Sequence, residues 1–346
     1  MSGKRSRSSL VWPCVPQPRL RKVRLTFPYN SFPRHLELEN RGKLEAMLVE
    51  MPHLKMLSIP KLAGNGWQLG CLTSLELSES WFRWSDCPTR LPDMPYLQSL
   101  SLVFTPASSP CLDNVDPFVD FDRFGNLSHL KIDGLRSCLV FQGRAAELKT
   151  LELISTELVE PTGLFKGVYR TVQCLILRDS IWQFDDDFTF SQLKETRIVA
   201  DTWLFPPSLS SLSIPSLADL SIALSRFPDV YGLRRPWDFV DTALHWLESR
   251  VEGGPKSLSF IISEWDKDAR SLVVDGQQDH IELFLANATV PRLESLSLIG
   301  RSIGVATWRA FAGRHTGLKN LTLDFNCVGE VCTSAPEYRD SHITVS

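Results

Sequence analysis

The sequence has no run of about 18 apolar residues, which is the length that a transmembrane helix needs. It also has little excess of charge, because 37 basic and 40 acidic residues give a formal net charge of −3. A charge balance this close to neutrality creates no field that would attract nucleic acid or an anionic lipid surface. We therefore expect a protein that binds neither nucleic acid nor membrane.

The sequence has 8 cysteines but no C-x-x-C pair and no regular cysteine spacing. Residues 1–10 are rich in Ser, Lys and Arg and do not resemble a secretory signal. We expect reduced thiols and a location in the cytoplasm, the nucleus or both. Cys327, Cys332 and His342 do not match the spacing of a zinc site, so no metal site is expected.

Motifs of common enzyme classes are missing as well. The sequence contains no G-x-S-x-G, no G-x-x-x-x-G-K-[ST] and no H-E-x-x-H. Its 7 histidines are scattered, and the acidic run Asp185 to Asp187 is interpreted as a solvated loop. We expect no catalytic activity and no cofactor, and an enzyme ranks behind both binding functions considered below.

Leucine is what the sequence has in abundance, with 50 leucines among 346 residues. They recur in the pattern L-x-x-L-x-L at intervals of roughly 20–30 residues, which is the period of leucine-rich repeats. About twelve copies are recognisable, and their first residues are Leu20, Leu54, Leu72, Leu97, Leu127, Leu148, Val172, Leu193, Leu209, Pro255, Leu293 and Leu318. A further match begins at Leu217.

The spacing of the pattern predicts its structure. The last two apolar positions lie two residues apart and therefore point to one side of a short strand. Parallel stacking of such strands buries a continuous core that no single copy could enclose. Helical spacing precedes several copies, as in 44–51, 240–251, 281–288 and 305–312. The expected fold is an α/β, irregular leucine-rich-repeat solenoid with parallel strands on the concave face and helices and loops on the convex face.

The copies also predict the organisation of the chain. Residues 1–18 are expected to form a flexible polar leader, 19–325 the solenoid, and 326–346 a flexible tail. Segments rich in Pro and Ser or in Pro and Arg predict loop insertions near 105–116 and 225–236. Regular repeats place Asn three residues after the last apolar position, whereas this chain mostly has Ser, Thr or Asp there, including Thr156 and Ser180. We expect repeats of irregular pitch and a monomer.

Several copies are introduced by a short Pro-containing turn, as in Met51-Pro52-His53-Leu54, Met94-Pro95-Tyr96-Leu97 and Val290-Pro291-Arg292-Leu293. Together with the irregular repeats over about residues 19–325, these turns resemble the repeat region of fungal F-box/leucine-rich-repeat proteins. The resemblance implies substrate recognition for a ubiquitin ligase. In that family an F-box before the repeats docks the linker subunit of a cullin ligase, and residues 1–18 do not resemble one.

Two functions of different kinds follow from this reading. The first is a protein-recognition module, by resemblance the substrate-recognition subunit of an F-box-type ubiquitin ligase. Binding to the cullin-linker subunit is expected only if an F-box lies upstream. The second is a leucine-rich-repeat scaffold or structural interaction protein with no ubiquitin link. In both, the partner is a protein of unknown identity.

Alternation along the strands selects candidate binding residues on the sheet face opposite the core. A charged group occupies the middle repeats, and a Ser-lined surface follows toward the C-terminus. We expect Lys131, Glu152, Arg178 and Arg197 to stand in one row. The alternative is a wet sheet face that binds nothing. The charged candidates are His129, Lys131, Asp133, Glu152, Arg178, Glu195 and Arg197.

Aromatic residues recur just after the predicted strands, among them Trp81, Phe104 and Trp182. One interpretation is that they fill the core in place of the missing Asn side chains, since large aromatic residues usually bury. The other is an exposed aromatic rim that anchors a partner, with Trp81 and Trp182 as contact residues. The sequence leaves both interpretations open.

Overall fold

The structure, a computed structural model, describes the chain in separate ranges. These ranges are 22–24, 54–59, 71–78, 94–104, 118–135, 140–158, 162–182, 187–200, 209–224, 236–262, 280–299, 303–323 and 342–345. The expected leader 1–18 and the expected loop insertion 105–116 lie outside them, as do Trp81, Cys327 and Cys332. Of the insertion near 225–236, only Pro236 is described.

Short strands dominate the described residues. In chain order they are β1 Lys22–Arg24, β2 Met56–Ile59, β3 Ser74–Ser78, β4 Ser99–Val103, β5 Phe118–Asp120, β6 His129–Asp133, β7 Val140–Gln142, β8 Thr150–Ile154, β9 Glu157–Leu158, β10 Cys174–Arg178, β11 Ile181–Trp182, β12 Phe188–Thr189, β13 Glu195–Ala200, β14 Leu212–Ser213, β15 Asp219–Leu224, β16 Ser257–Ile262, β17 Ser295–Ile299, β18 Asn320–Leu323 and β19 His342–Val345. The α-helices among the described residues are Thr162–Val168, Pro236–Arg250, His280–Asn287 and Val305–Arg314, and 3-10 turns span Phe121–Arg123 and Leu209–Ser211.

One long sheet organises the described part of the chain. It contains 13 strands in the order β1-β2-β3-β4-β6-β8-β10-β13-β15-β16-β17-β18-β19. Each neighbouring pair is parallel, from β1 with β2 to β18 with β19. The strand order therefore follows the chain without reversal, and the fold is α/β with a long parallel sheet. This order is compatible with a solenoid-like arrangement.

Alternating burial explains why these segments form strands. In β4, β6 and β8 the second and fourth residues are buried and the other three are half-exposed. The register places the buried leucines of neighbouring strands side by side, as for Leu130, Leu151 and Leu175. Each is fully removed from solvent. Burying a leucine contributes about 1.5–3 kcal/mol, so the column of leucines is a main source of stability.

The core lies between the buried side of this sheet and the helices and short strands that connect its strands. Buried residues of the helices, such as Phe165, Trp246 and Phe311, belong to the same hydrophobic cluster as the strand leucines. Trp246 donates from its indole nitrogen to the Leu212 carbonyl at 2.8 Å, so even its polar atom is satisfied. Short parallel pairs, β5 with β7, β9 with β11 and β12 with β14, form small two-stranded sheets besides the main one.

Eleven of the predicted copies supply strands to the main sheet, but the copy that begins at Leu209 does not. Its residues form a 3-10 turn and the two-residue strand β14, which pairs with β12. The match that begins at Leu217 supplies β15 instead. The physical reason is the packing of the long helix Pro236–Arg250 against this segment. The Ile214 amide donates a hydrogen bond to the carbonyl of Arg250, the last residue of that helix, at 3.0 Å.

The helical spacing in 240–251, 281–288 and 305–312 corresponds to three of the observed helices. Pro236 opens the longest of them, a position where its missing N–H costs nothing. The helix Thr162–Val168 is not marked by this spacing. The helical spacing in 44–51 lies outside the described residues. Within the expected flexible tail 326–346, the strand His342–Val345 pairs with β18.

Candidate functional site

The face of the main sheet opposite the core carries the candidate residues. We call it the open face and define it by the first, third and fifth positions of the main-sheet strands from β4 to β17, which alternate with the buried residues. Parallel pairing in constant register turns these positions into three columns that run across the strands. Strands in one sheet lie about 4.8 Å apart, so each column presents side chains at that spacing.

The central column brings together three of the predicted site residues. Lys131 is in register with Glu152, Glu152 with Ile176, and Ile176 with Arg197. The row predicted from the sequence is therefore present for Lys131, Glu152 and Arg197. An apolar side chain, Ile176, interrupts it.

Arg178 belongs to a different column, and its expected place in the row is wrong. It is the fifth residue of β10 and is in register with Ile154 and Val199 rather than with Glu152. The reason is the two-residue period of a strand, because Arg178 lies two residues after Ile176, which holds the central position of β10. Its side chain is exposed.

Lys131 and Arg197 on the open face lie beside side chains of opposite charge. Lys131 lies 3.3 Å from the Asp133 carboxylate on the same strand. Arg197 donates from its Nε to Glu195 at 2.6 Å, which raises the pKa of the guanidinium further above its usual range. His129 approaches Glu152 of the next strand at 4.0 Å. Basic and acidic groups therefore lie next to one another on the strands from β6 to β13. We call this compact area of the open face the charged patch.

Cys174 lies inside the charged patch, in register with Thr150 and Glu195. Burial, followed by the Glu195 carboxylate, raises the pKa of its thiol to about 11, because both disfavour the thiolate. A thiol of this kind stays protonated at neutral pH and is a poor nucleophile. Cys174 was not among the candidate residues, and the geometry gives no support for catalysis by it.

Toward the C-terminus the open face changes to small hydroxyl and apolar side chains. Ser221, Ser259 and Ser297 align in the central column of β15, β16 and β17. In the next column the aligned residues are Ala223, Ile261 and Ile299. A Ser-lined surface was predicted, but Ser211 and Ser213 of the Leu209 copy lie outside the main sheet and Ser221 takes their place. The apolar column beside it was missed. The sequence signal for this column is the apolar residue that follows the last apolar position of each of these copies.

The turns that leave the strands of the charged patch share one conformation. Gly134, Ser155 and Asp179 each follow a strand with φ of 74°, 48° and 48°. Their amide groups continue the ladder, since Ser155 N donates to the Arg178 carbonyl at 2.7 Å. Such φ values favour glycine, so Ser155 and Asp179 are held there by the pairing of the strands on either side.

A short ladder of hydroxyl groups lies directly behind these turns, where regular repeats carry Asn. Thr156 and Ser180 are both 1% exposed, so the position that carries Asn in regular repeats points into the core here. Ser180 donates from its hydroxyl to the Arg178 carbonyl at 2.9 Å and accepts from the Thr156 amide at 3.4 Å. The Ser180 hydroxyl thus replaces part of the missing Asn ladder, whereas the buried Thr156 hydroxyl makes no hydrogen bond within the described residues.

The aromatic residues after the strands are described at two places. Phe104 is buried with 7% exposure and belongs to the core, in agreement with the interpretation of these residues as core fillers. Trp182 lies in β11, and nothing is described of its side chain. Because Trp81 lies outside the described residues, the exposed-rim interpretation stays a prediction.

The described residues offer neither a metal site nor a membrane-spanning helix. Among the described residues, no three His, Cys, Asp or Glu side chains are grouped so that they could hold a metal ion. In the same ranges no helix is both long and apolar enough to cross a membrane. Comparison of the chain with family models, with curated proteins and with solved structures gave no match.

Proposed function

We propose that the chain is a leucine-rich-repeat solenoid that works as a non-catalytic protein-recognition module and binds its partner on the open face. The observation that carries this proposal is the charged patch, in which half-exposed groups of both signs stand at fixed spacing on consecutive strands. In this proposal about twelve repeats curve so that the sheet is concave and the helices and loops are convex. Solenoids generally use such a concave sheet for binding.

The mixture of charges indicates a protein segment rather than a polyanion. A nucleic acid would require an excess of positive groups, whereas Lys131 and Arg197 are balanced here by Asp133 and Glu195. A partner with its own alternating charges could exchange these exposed pairs for intermolecular ones at little cost, because exposed pairs contribute only about 0–1 kcal/mol. Complementary charges of this kind determine specificity and orientation.

The size of the patch fits a short extended segment. From β6 to β13 the sheet has four consecutive strands. At about 4.8 Å between strands, the patch is roughly 14 Å across. An extended chain covers about 3.3 Å per residue, so about four residues of the partner would cross it.

By the resemblance to fungal F-box/leucine-rich-repeat proteins, we propose that the bound protein is a substrate presented to a ubiquitin ligase. Because binding to the cullin-linker subunit is expected only if an F-box lies upstream, this part is tested on the bound protein, whose ubiquitination should fall when the chain is deleted from the cell. If its ubiquitination is unchanged and the open face still binds it, the scaffold function replaces the ubiquitin function and the recognition proposal stands.

A charge-reversal experiment tests the recognition proposal. The variant Lys131→Glu/Arg197→Glu reverses two charges of the patch. The control Arg144→Glu/Arg309→Glu makes the same change in net charge at two exposed residues outside the main sheet. Proteins labelled in proximity to wild type, variant and control are compared by quantitative mass spectrometry, after circular dichroism has shown that all three are folded.

We expect at least one protein to be enriched by wild type and control but reduced about tenfold or more by the patch variant. The remaining binding should change less with added salt in the variant, because the variant has lost the attractive charge contacts that salt screens over a Debye length of about 10 Å at 0.1 M. If the three folded proteins label the same partners equally, the charged patch is not the binding surface.

A further inference from the structure

His315 stands apart from the open face and is one of the few polar residues buried in the described core, at 4% exposure. It directly follows the helix Val305–Arg314 and serves as its C-cap. Its ring stacks on Phe311, with ring centroids 4.0 Å apart. The ring therefore fills a place in the core between the last described helix and the turn that leads into β17.

Both ring nitrogens of His315 are engaged, and their partners define one protonation state. Nδ1 lies 2.8 Å from the Phe311 carbonyl, which can only accept a hydrogen bond, so Nδ1 carries the proton. Nε2 lies 2.9 Å from the Val290 amide, which can only donate, so Nε2 must be unprotonated. The observed contacts require the neutral ring with hydrogen on Nδ1.

We propose that His315 is an acid-sensitive latch that ties the helix Val305–Arg314 to the turn at Val290. A proton on Nε2 would set two donors against each other at 2.9 Å and leave the buried Val290 amide without its acceptor. The same proton would place a charge in a site that is almost closed to water. The neutral latch is closed, and protonation opens it.

The charged groups around the latch favour the neutral ring. From its own helix, Arg314 donates to the carbonyls of Leu285 and Ala288 at 2.6 and 3.3 Å and adds a positive charge beside the ring. Burial, and to a smaller extent Arg314, lowers the pKa of His315 despite the hydrogen bond to Phe311.

Acidic groups on the neighbouring elements are engaged elsewhere. From the helix His280–Asn287, Glu282 accepts the Gly304 amide at 2.6 Å, at the other end of the helix Val305–Arg314. Beyond the turn at Val290, which also carries Arg292, Glu294 pairs with Lys319 at 2.9 Å on the surface. The ring itself is bonded to backbone groups only, so these described contacts give the imidazolium no acidic partner.

Acid should weaken the contact between His315 and the Val290 amide. A histidine whose pKa is lower in the folded protein binds fewer protons there than in the opened state, so the closed latch loses stability as pH falls below the ordinary value of about 6.5. If the folded ring stays neutral down to pH 5.5, the opening constant rises about tenfold between pH 7.5 and pH 5.5.

Amide hydrogen exchange of the full chain tests the proposal. After correction for intrinsic rates, protection of the Val290 and Leu318 amides should fall about tenfold from pH 7.5 to pH 5.5. His315→Gln keeps an acceptor for the Val290 amide but has no ionisable ring, so its protection should change less than twofold. His245→Gln, at an exposed histidine on another helix, should retain the tenfold change of the wild type.

An NMR titration of the wild type keeps the proposal testable if His315→Gln does not fold. The ¹⁵N shifts of the ring should report hydrogen on Nδ1, and the ring should titrate below pH 6.5. Hydrogen on Nε2, titration at or above pH 6.5, or an unchanged tenfold loss of protection in folded His315→Gln would overturn it. Failure of the open face to bind a partner would not affect this result, because amide exchange and the NMR titration are measured on the free protein.

Discussion

Removal of the Leu151 side chain beyond Cβ is the most direct test of the alternation that defines both the core and the open face. Leu151 is fully buried and stands in register between Leu130 and Leu175. Leu151→Ala removes three carbons, which at about 0.8 kcal/mol for each buried CH₂ corresponds to roughly 2.4 kcal/mol of transfer free energy.

The remaining cavity adds to this loss. The strands on both sides are held by the backbone ladder, so Leu130 and Leu175 cannot move in to fill the space. We expect a total loss of about 3–4 kcal/mol in the free energy of unfolding, within the usual range for Leu→Ala in a core.

Urea denaturation at neutral pH measures the effect, and Glu152→Ala is the matched control. Glu152 is the next residue on the same strand, and its side chain retains 23% exposure on the open face. The control should lose less than about 1 kcal/mol, because its contact with His129 is exposed. Equal losses in the two variants, or a loss below about 1 kcal/mol for Leu151→Ala, would show that the strand presents the other face to the core.

Two further predictions concern the strand exits and the patch thiol. Ser155→Gly should stabilise the protein by about 0.5 kcal/mol in the same assay, since glycine relieves the positive φ. Gly134→Ala should cost about 2–3 kcal/mol, because its φ is 74° and an added Cβ would collide with the Phe104 carbonyl oxygen. Near neutral pH, iodoacetamide should modify Cys174 at least about 10-fold more slowly than exposed Cys71, because the pKa of Cys174 is raised to about 11 and the smaller thiolate fraction is only partly offset by higher nucleophilicity. Equal rates by peptide mass spectrometry, or a stabilising Gly134→Ala, would contradict the respective argument.

The open face was predictable as a surface but not as a set of contacts. Alternation along one strand places Lys131 and Asp133 on the same side whatever the neighbours are. The approach of His129 to Glu152 depends on the pairing of two strands, whereas the separation of Arg178 from the central column follows from its position two residues after Ile176 on β10. A side-chain contact between strands requires the register, which no single repeat encodes.

The sequence by itself determined where most strands lie and which of their residues are buried. The information is local, because a period of two within each L-x-x-L-x-L copy fixes the side of every side chain, and repetition forces the copies to stack. The same locality explains why three helices were predicted from spacing alone.

Only the tertiary structure decided between segments with the same pattern and joined residues far apart in the chain. The copies at Leu209 and Leu217 match the template equally, and packing of the helix Pro236–Arg250 against the first leaves the second for the sheet. The bond between His315 and Val290 likewise joins residues 25 positions apart. Such choices depend on which surfaces can be buried together, and this is a property of the assembled core.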